Sequence, residues 1–316
     1  MKAVTFLDRE QLKLEIIYQY YMHDLGQAEI ARRYSISRSY VSKLLIEARK
    51  EGLVEIKINK PLISENEPER ILRERYGLKH VMIVGHTNDG ESMGDALNNY
   101  LNNILNDGDI IGVAWGKTLW DSSKKLHAYK PYKNLTVVQL CGGVSFIKSS
   151  TYASEVVTNY AKAFGTEPYL LPLPAIVENY EFKKAFLKED NISKVMDLIN
   201  NVNIAVFTVG KLGGKSALVR SGYISETEIE KLIAGGAIGE ICTHVVNGEG
   251  KVCDQSLEDR STSISLSNLK KCLCKIAVVA GVERTASLKA ALRAGYINVL
   301  IIGQVIADKL ISGHDE

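Results

Sequence analysis

Residues 27–49 read QAEIARRYSISRSYVSKLLIEAR. Ile30, Val41, Leu44 and Leu45 recur at helical spacing on either side of Ser35-Ile36-Ser37, and Ala31 is small enough for two helices to cross closely. Ser37 stands where a hydroxyl accepts from a free backbone N–H of the helix that follows. Upstream, REQLKLEIIYQYYMH (residues 9–23) places Leu12, Ile16, Tyr20 and His23 on one face, which predicts a further helix packed on the pair. The whole is a helix-turn-helix. On its last helix Arg38, Ser39, Ser42 and Lys43 share a face opposite Val41, Leu44 and Leu45, and that face holds no acid. Arginine pairs with guanine edges in bidentate fashion, serine serves bases or phosphate, and Tyr40 reaches a phosphate or a thymine methyl. Gln27 opens the preceding helix, where a phosphate contact is available. The expected DNA-binding residues are therefore Gln27, Ser37, Arg38, Ser39, Tyr40, Ser42 and Lys43. A merely solvated three-helix bundle would leave the register of turn, cap and small residue unexplained.

Charge supports the same division of labour. Residues 1–60 carry 11 Lys+Arg and 8 Asp+Glu, net +3, which leaves 28 against 29 in the remainder, net −1. The chain as a whole is only +2, too balanced for a protein that coats nucleic acid or a membrane surface along its length. Proline is absent before Pro61, and PLISENEPER follows, with Pro61 and Pro68 flanking polar residues. The expected domains are residues 1–60, binding DNA, and residues 61–316, binding a ligand. The strand-like VEIKI after Glu51-Gly52 is expected to form a small wing or to pair with a neighbour.

From about residue 70, apolar runs of strand length alternate with amphipathic stretches of helical length. The runs are HVMIVG, DIIGVAW, LTVVQLCGG, PYLLPLP, NIAVFTVG, KIAVVAG and NVLIIG. Such runs fit a parallel sheet covered on both faces, so the second domain is expected to be a doubly wound α/β domain. At 316 residues with 46% apolar content, the chain has material for two cores. No run spans a bilayer and the N-terminus lacks the order of a signal peptide, so a cytoplasmic protein is expected. Five cysteines without a C-x-x-C pair give no disulfide framework, and six histidines without metal-ligand spacing give no metal site. No cofactor is expected.

With the helix-turn-helix joined to a domain that holds GVAWGKT, VVQLCGG, LPLPAIVEN and GYINVLII in this order, the sequence resembles the SorC family of bacterial sugar-operon regulators. Within that family it looks most like the branch that includes deoxyribonucleoside-operon regulators. The resemblance covers nearly the whole chain. It implies an effector domain folded like glucosamine-6-phosphate deaminase and ribose-5-phosphate isomerase, a dimeric or tetrameric assembly, and a phosphorylated sugar as ligand.

The residues point to where such a ligand would sit. DIIGVAW runs into Gly116-Lys117-Thr118, after which Leu119-Trp120 reads as a helix start. A strand, a small-residue turn and a helix start present free N–H groups and a positive dipole end, here with an ammonium and a hydroxyl added. The alternative is a tight connection with a solvated lysine; the resemblance implies that Gly116, Lys117 and Thr118 match the family's phosphate-contacting loop. Gly142-Gly143 ends a second strand and is expected to leave backbone open at its C-terminal end. Cys141 precedes the pair where similar regulators often carry a basic residue; it reads either as a pocket residue or as a small buried hydrophobe. Matches to family positions add Arg220 in ALVRSGY and Arg284 in GVERTASL as forks for an anion, and Glu240 in GEIC as an acceptor for sugar hydroxyls. Tyr152, just before a helix, is expected to cover the site.

These readings converge on a transcription regulator, by default a repressor of a carbohydrate or deoxyribonucleoside operon, that leaves operator DNA when a sugar phosphate binds. Two alternatives belong to other classes. A sugar-phosphate isomerase or deaminase would need an acid/base pair, and only Glu240 is in evidence. A DNA-binding protein with a purely structural C-terminal domain would answer to no metabolite.

Overall fold

Asp8 opens the first helix with a reciprocal cap. Its carboxylate accepts from the Gln11 backbone N–H at 2.8 Å while Gln11 Oε1 accepts from the Asp8 N–H at 3.4 Å. Helix α1 runs Arg9–Tyr21, α2 Gln27–Arg33 and α3 Arg38–Lys50. Ser37 Oγ accepts from the Tyr40 N–H at 3.1 Å at the start of α3, the cap anticipated there. Ile16, Ile30, Val41, Leu44 and Leu45 meet in a small core, with Ile36 half-buried from the turn. His23, expected on the packed face of α1, lies beyond its end and is exposed. The buried polar positions are Lys13 and Gln19 instead. Lys13 Nζ pairs with Glu51 at 2.6 Å and Arg9 with Glu47 at 2.8 Å, so two ion pairs tie α1 to α3.

The computed structural model describes residues 8–54, 65–85, 90–145 and 151–313, and the chain falls into two compact units, residues 1–60 and 61–316. The wing expected at VEIKI lies outside the described residues apart from Val54. Among the described residues no helix is long and apolar enough to cross a membrane.

The second unit begins with α4 (Glu67–Tyr76), β1 (His80–Val84), α5 (Gly90–Ile104), β2 (Ile110–Val113), α6 (Lys117–Ser123), β3 (Thr136–Gln139), α7 (Ala153–Phe164) and β4 (Pro168–Tyr169). It continues with α8 (Tyr180–Phe186), α9 (Asp190–Asn200), β5 (Ile204–Phe207), β6 (Val209–Lys211), α10 (Ala217–Arg220), α11 (Glu226–Ala234), β7 (Ala237–Ile241) and β8 (His244–Asn247). After α12 (Gln255–Arg260), α13 (Leu266–Lys271) and β9 (Cys274–Val279), a 3-10 turn (Val282–Arg284) leads to α14 (Thr285–Arg293), β10 (Val299–Gly303) and α15 (Gln304–Ser312).

Seven strands form one parallel sheet in the order β1-β10-β9-β5-β2-β3-β4. Strands β5 and β10 are buried at every position, which requires cover on both faces and explains their unbroken Val/Ile/Ala content. From β2 the order runs outward through β3 and β4, and from β5 it runs the other way through β9 and β10. The winding therefore reverses between β2 and β5, the place where open α/β sheets form a crevice at their carboxyl ends.

Two features depart from the sequence reading. The run NIAVFTVG is not one strand: it breaks at Thr208, and Val209–Lys211 joins a separate antiparallel sheet, β6-β7-β8. The hairpin of β7 and β8 was not expected at all. Its two-residue turn, Cys242-Thr243, has φ of 47° and 72°, the doubly left-handed form that suits hairpin twist and that glycine or asparagine normally supplies. Thr243 is held there by its N–H, which donates to Glu240 Oε2 at 2.8 Å, and by its hydroxyl, 2.7 Å from Ser263 Oγ.

Candidate effector site and DNA-binding face

The segments that follow β2, β5 and β9, together with β6, β7, α10 and the start of α7, enclose a cavity of about 390 Å³ at the carboxyl ends of β2 and β5. From β2 come Trp115, Gly116, Lys117 and Thr118. Gly116 has φ 124° and ψ 161°, a conformation that side chains strain, and the helix begins directly after it, at Lys117 rather than at Leu119. Lys117 is 70% exposed, with Nζ 2.9 Å from Asp121 Oδ2 one turn on, and this carboxylate raises the ammonium above its ordinary value. Thr118 is buried and its hydroxyl accepts from Arg284 Nη1 at 3.1 Å. The same guanidinium nitrogen donates to the Ala280 carbonyl at 2.8 Å, so the fork of Arg284 is fixed from two sides at the end of β9.

Opposite these lie Arg220, exposed at the end of α10, and Glu240, buried in β7. Glu240 faces Gly210 across the antiparallel pair, and a Cβ at Gly210 would stand 2.4 Å from Glu240 Oε1, so the missing side chain makes room for the carboxyl. Burial pushes the Glu240 carboxyl above the ordinary carboxylate range; the Thr243 N–H and the Arg284 guanidinium pull the other way without overcoming it. Tyr152 stands at the rim in a left-handed conformation (φ 59°), its ring stacked on Trp120 at 4.7 Å. Thr151, Thr208, Gly210 and Ser221 complete the polar lining. Sequence reading passed over these last four because Thr208 and Gly210 sit inside an apolar run, Thr151 inside a serine-rich stretch, and Ser221 beside the more conspicuous Arg220.

Lys117, Thr118, Tyr152, Arg220, Glu240 and Arg284 are thus brought together around one space, and Gly116 shapes it. Cys141, Gly142 and Gly143 are not on its wall. A Cβ on Gly142 would lie 2.4 Å from the Pro174 carbonyl, and one on Gly143 would lie 2.2 Å from Ala153 Cβ. This pair of glycines permits close packing, with Gly142 buried and Gly143 half-buried. Cys141 is fully buried and shares a smaller space with Trp115, Thr208, Glu240 and Cys242. Its thiol is the first cause, and burial the second, of a Cys242 thiol pushed well above the ordinary range. Among the described residues no group of His, Cys, Asp and Glu could hold a metal ion.

In the first unit, α3 presents Arg38, Ser39 and Lys43 to solvent, with Tyr40 and Ser42 half-buried beside them. Ser37 is exposed but its hydroxyl is engaged as the cap, 2.9 Å from Ser39 Oγ. Gln27 is half-buried at the first position of α2. No acid interrupts the face from Arg38 to Lys43.

Residues 60–312 match the family described as "Putative sugar-binding domain", and residues 10–51 match Sigma-70, region 4. The deoxyribonucleoside regulator of Bacillus subtilis (strain 168) is 34% identical over 313 residues, covering 96% of this chain and 98% of that protein. The sorbitol operon regulator of Klebsiella pneumoniae is 25% identical, covering 96% of this chain and 98% of that protein. Among solved structures, the full-length sorbitol operon regulator SorC from Klebsiella pneumoniae matches with a TM-score of 0.82 at 24% identity, over 96% of this chain and 99% of that one. A domain of a possible sugar-binding transcriptional regulator from Arthrobacter aurescens TC1 matches with a TM-score of 0.71 at 28% identity, over 80% of this chain and 99% of that one. On a sugar-binding domain matched across most of its length and a relative matched end to end, the chain belongs to the SorC family of sugar-binding transcriptional regulators.

Proposed function

We propose that this protein is a cytoplasmic, homo-oligomeric repressor, dimeric or tetrameric, whose hold on operator DNA is released by a phosphorylated sugar bound at the β2/β5 crevice. One observation carries the ligand class: Lys117, Arg220 and Arg284 converge on a cavity whose one acid, Glu240, is biased toward its neutral form. That balance favours an anion, and the hydroxyls of Thr118, Thr151, Thr208 and Ser221 favour a polyol attached to it. The relatives named for deoxyribonucleoside and sorbitol regulation support a catabolic operon as the target. The effector domain is further proposed to fold like the sugar-phosphate isomerases and deaminases, as the sequence resemblance implies, which agrees with such a ligand. Catalysis is not part of the proposal, since the matched relatives are named as regulators and Glu240 spends one oxygen on the Thr243 N–H.

Release of DNA on ligand binding is the direction proposed. Recognition helices on paired half-sites must keep a fixed separation, so a modest rotation between copies on ligand binding breaks the match. Thermal unfolding against a panel of sugar phosphates and their unphosphorylated parents tests the ligand. A ligand at about 100 times its Kd stabilises the native state by roughly 2.7 kcal/mol. One phosphorylated sugar is expected to raise the midpoint, its parent is not, and Arg284→Ala is expected to abolish the shift. A panel without effect removes the sensor reading, and tighter operator binding in the presence of the ligand removes the repressor reading.

A further inference from the structure

Thr243 breaks the local rules of its position. A β-branched residue is crowded at φ 72°, a conformation that hairpin turns leave to glycine, asparagine or aspartate, yet Thr243 is buried in it. Its support comes from elsewhere in the chain. Ser263 Oγ stands 2.7 Å and Ser261 Oγ 3.3 Å from Thr243 Oγ1, and all three residues are buried. The segment carrying the serines is itself tied on two sides, since the Ile264 N–H donates to the Leu140 carbonyl at 2.8 Å and the Thr262 N–H to the Ala175 carbonyl at 3.0 Å. The next residue in the turn is fixed too: the His244 ring lies 2.6 Å from Glu258 Oε2 and 2.7 Å from the Ile264 carbonyl. A strained residue persists only where its surroundings over-determine it, and such residues gather at functional sites.

The effect of this turn falls on Glu240. It aims the Thr243 N–H back at Glu240 Oε2, 2.8 Å away. Oε1 lies beside Gly210 on the crevice wall and takes no hydrogen bond among the described residues. Glu240 is 8% exposed, so one oxygen of a carboxyl more than nine-tenths buried is left for a ligand to complete. Arg284 from the end of β9 and His244 from β8 act on this carboxyl through their charge, whereas Thr243 alone gives it a directed bond. We infer that Thr243, held left-handed by Ser263 and Ser261, is a positioning residue of the effector site, which turns Glu240 so that Oε2 is occupied and Oε1 is presented to a hydroxyl of the ligand. For the ligand the inference rests on the reading of the crevice as a sugar-phosphate site; for the carboxyl it rests on the geometry of the turn.

A pair of substitutions separates positioning from packing. Thr243→Val and Thr243→Gly both remove the hydroxyl and keep the N–H, but only glycine takes the left-handed conformation without support. The Glu240 carboxyl is followed by NMR of the full chain labelled at glutamate, its signal assigned through Glu240→Gln. In Thr243→Val it is expected to titrate at higher pH than in the wild type, because the N–H that favours the carboxylate is lost, and in Thr243→Gly at the wild-type position. Affinity for whichever member of the sugar-phosphate panel stabilises the wild type is expected to fall about tenfold in the valine variant and to stay within about twofold in the glycine variant. Should Thr243→Val fail to fold, Ser263→Ala takes its place, with Thr243→Gly added to Ser263→Ala as the rescue. Titration that is the same in the valine and glycine variants, or binding that is weaker with glycine than with valine, overturns the proposal. A panel without effect removes the sensor reading and the ligand half of this inference with it, while the titration still decides whether Thr243 positions Glu240.

Discussion

Gly210 and Glu240 show how a single missing side chain can make room for a buried carboxyl. Because a Cβ would meet Glu240 Oε1 at 2.4 Å, Gly210→Ala is expected to displace the carboxyl. The cost is about 1–3 kcal/mol in denaturant unfolding, as for other overpacked sites, together with loss of the ligand-induced shift. Glu240 itself makes a pH-dependent contribution whose sign is fixed. Its folded pKa lies above the ordinary value of 4.5, so over the window upward from 4.5 the native chain holds a proton that the unfolded chain has released. Wild-type stability therefore falls as pH rises through that window. Gln cannot titrate, and its amide oxygen can still accept from the Thr243 N–H. The melting temperature of Glu240→Gln, relative to wild type, is expected to gain nothing below the window and to climb through it; a gap that ignores pH contradicts this. At this scale the charged members of the site were legible, because Lys117, Arg220, Glu240 and Arg284 stand in motifs that match the family. Gly210 and Thr208 were not, because strand ends are set by which partner a backbone finds, and the run NIAVFTVG gives no sign that its last residues change sheets.

At the scale of elements, α3 is the most predictable part of the molecule. Its cap, its buried positions and its polar face follow from local spacing, and the structure places all three where the spacing put them. Lys43 tests whether that face meets phosphate. Lys43→Ala is expected to lower the slope of log affinity against log salt by about 0.9, measured by anisotropy on an operator fragment, with little change in sequence preference. An unchanged slope would take Lys43 off the DNA. The β7–β8 hairpin was illegible for the opposite reason. Its turn residues, Cys242 and Thr243, are poor hairpin formers, and their left-handed conformations are sustained by groups remote in sequence such as Ser263. The use of the glycine pair at 142–143 as packing space was illegible in the same way, since it depends on Pro174 and Ala153.

At the scale of the whole molecule, the two units carry separate apolar cores of very different size. The first gathers six buried residues around Ile16 and Leu44, while the second extends over both faces of a seven-stranded sheet. Calorimetry is expected to show two transitions, and a sugar phosphate that binds the crevice is expected to move only one of them. A single transition displaced as a whole would mean that the units unfold together. The parallel sheet was legible because buried strands read as unbroken apolar runs. Its order was not, because periodicity is silent about which strand lies beside which.

That order has a consequence for how the protein comes into being. Strand β1 is the edge of the sheet and its neighbour is β10, with His80 opposite Val299. The crevice likewise waits for Arg284. The three helices of the first unit, by contrast, find their partners within residues 8–54. A ribosome adding about 5–20 residues per second needs roughly 10–50 s to travel from the end of α3 to the end of β10. In the regulator proposed here, a nascent chain thus carries its reading head into the cell well before it has a sensor, and throughout that interval no sugar can release it.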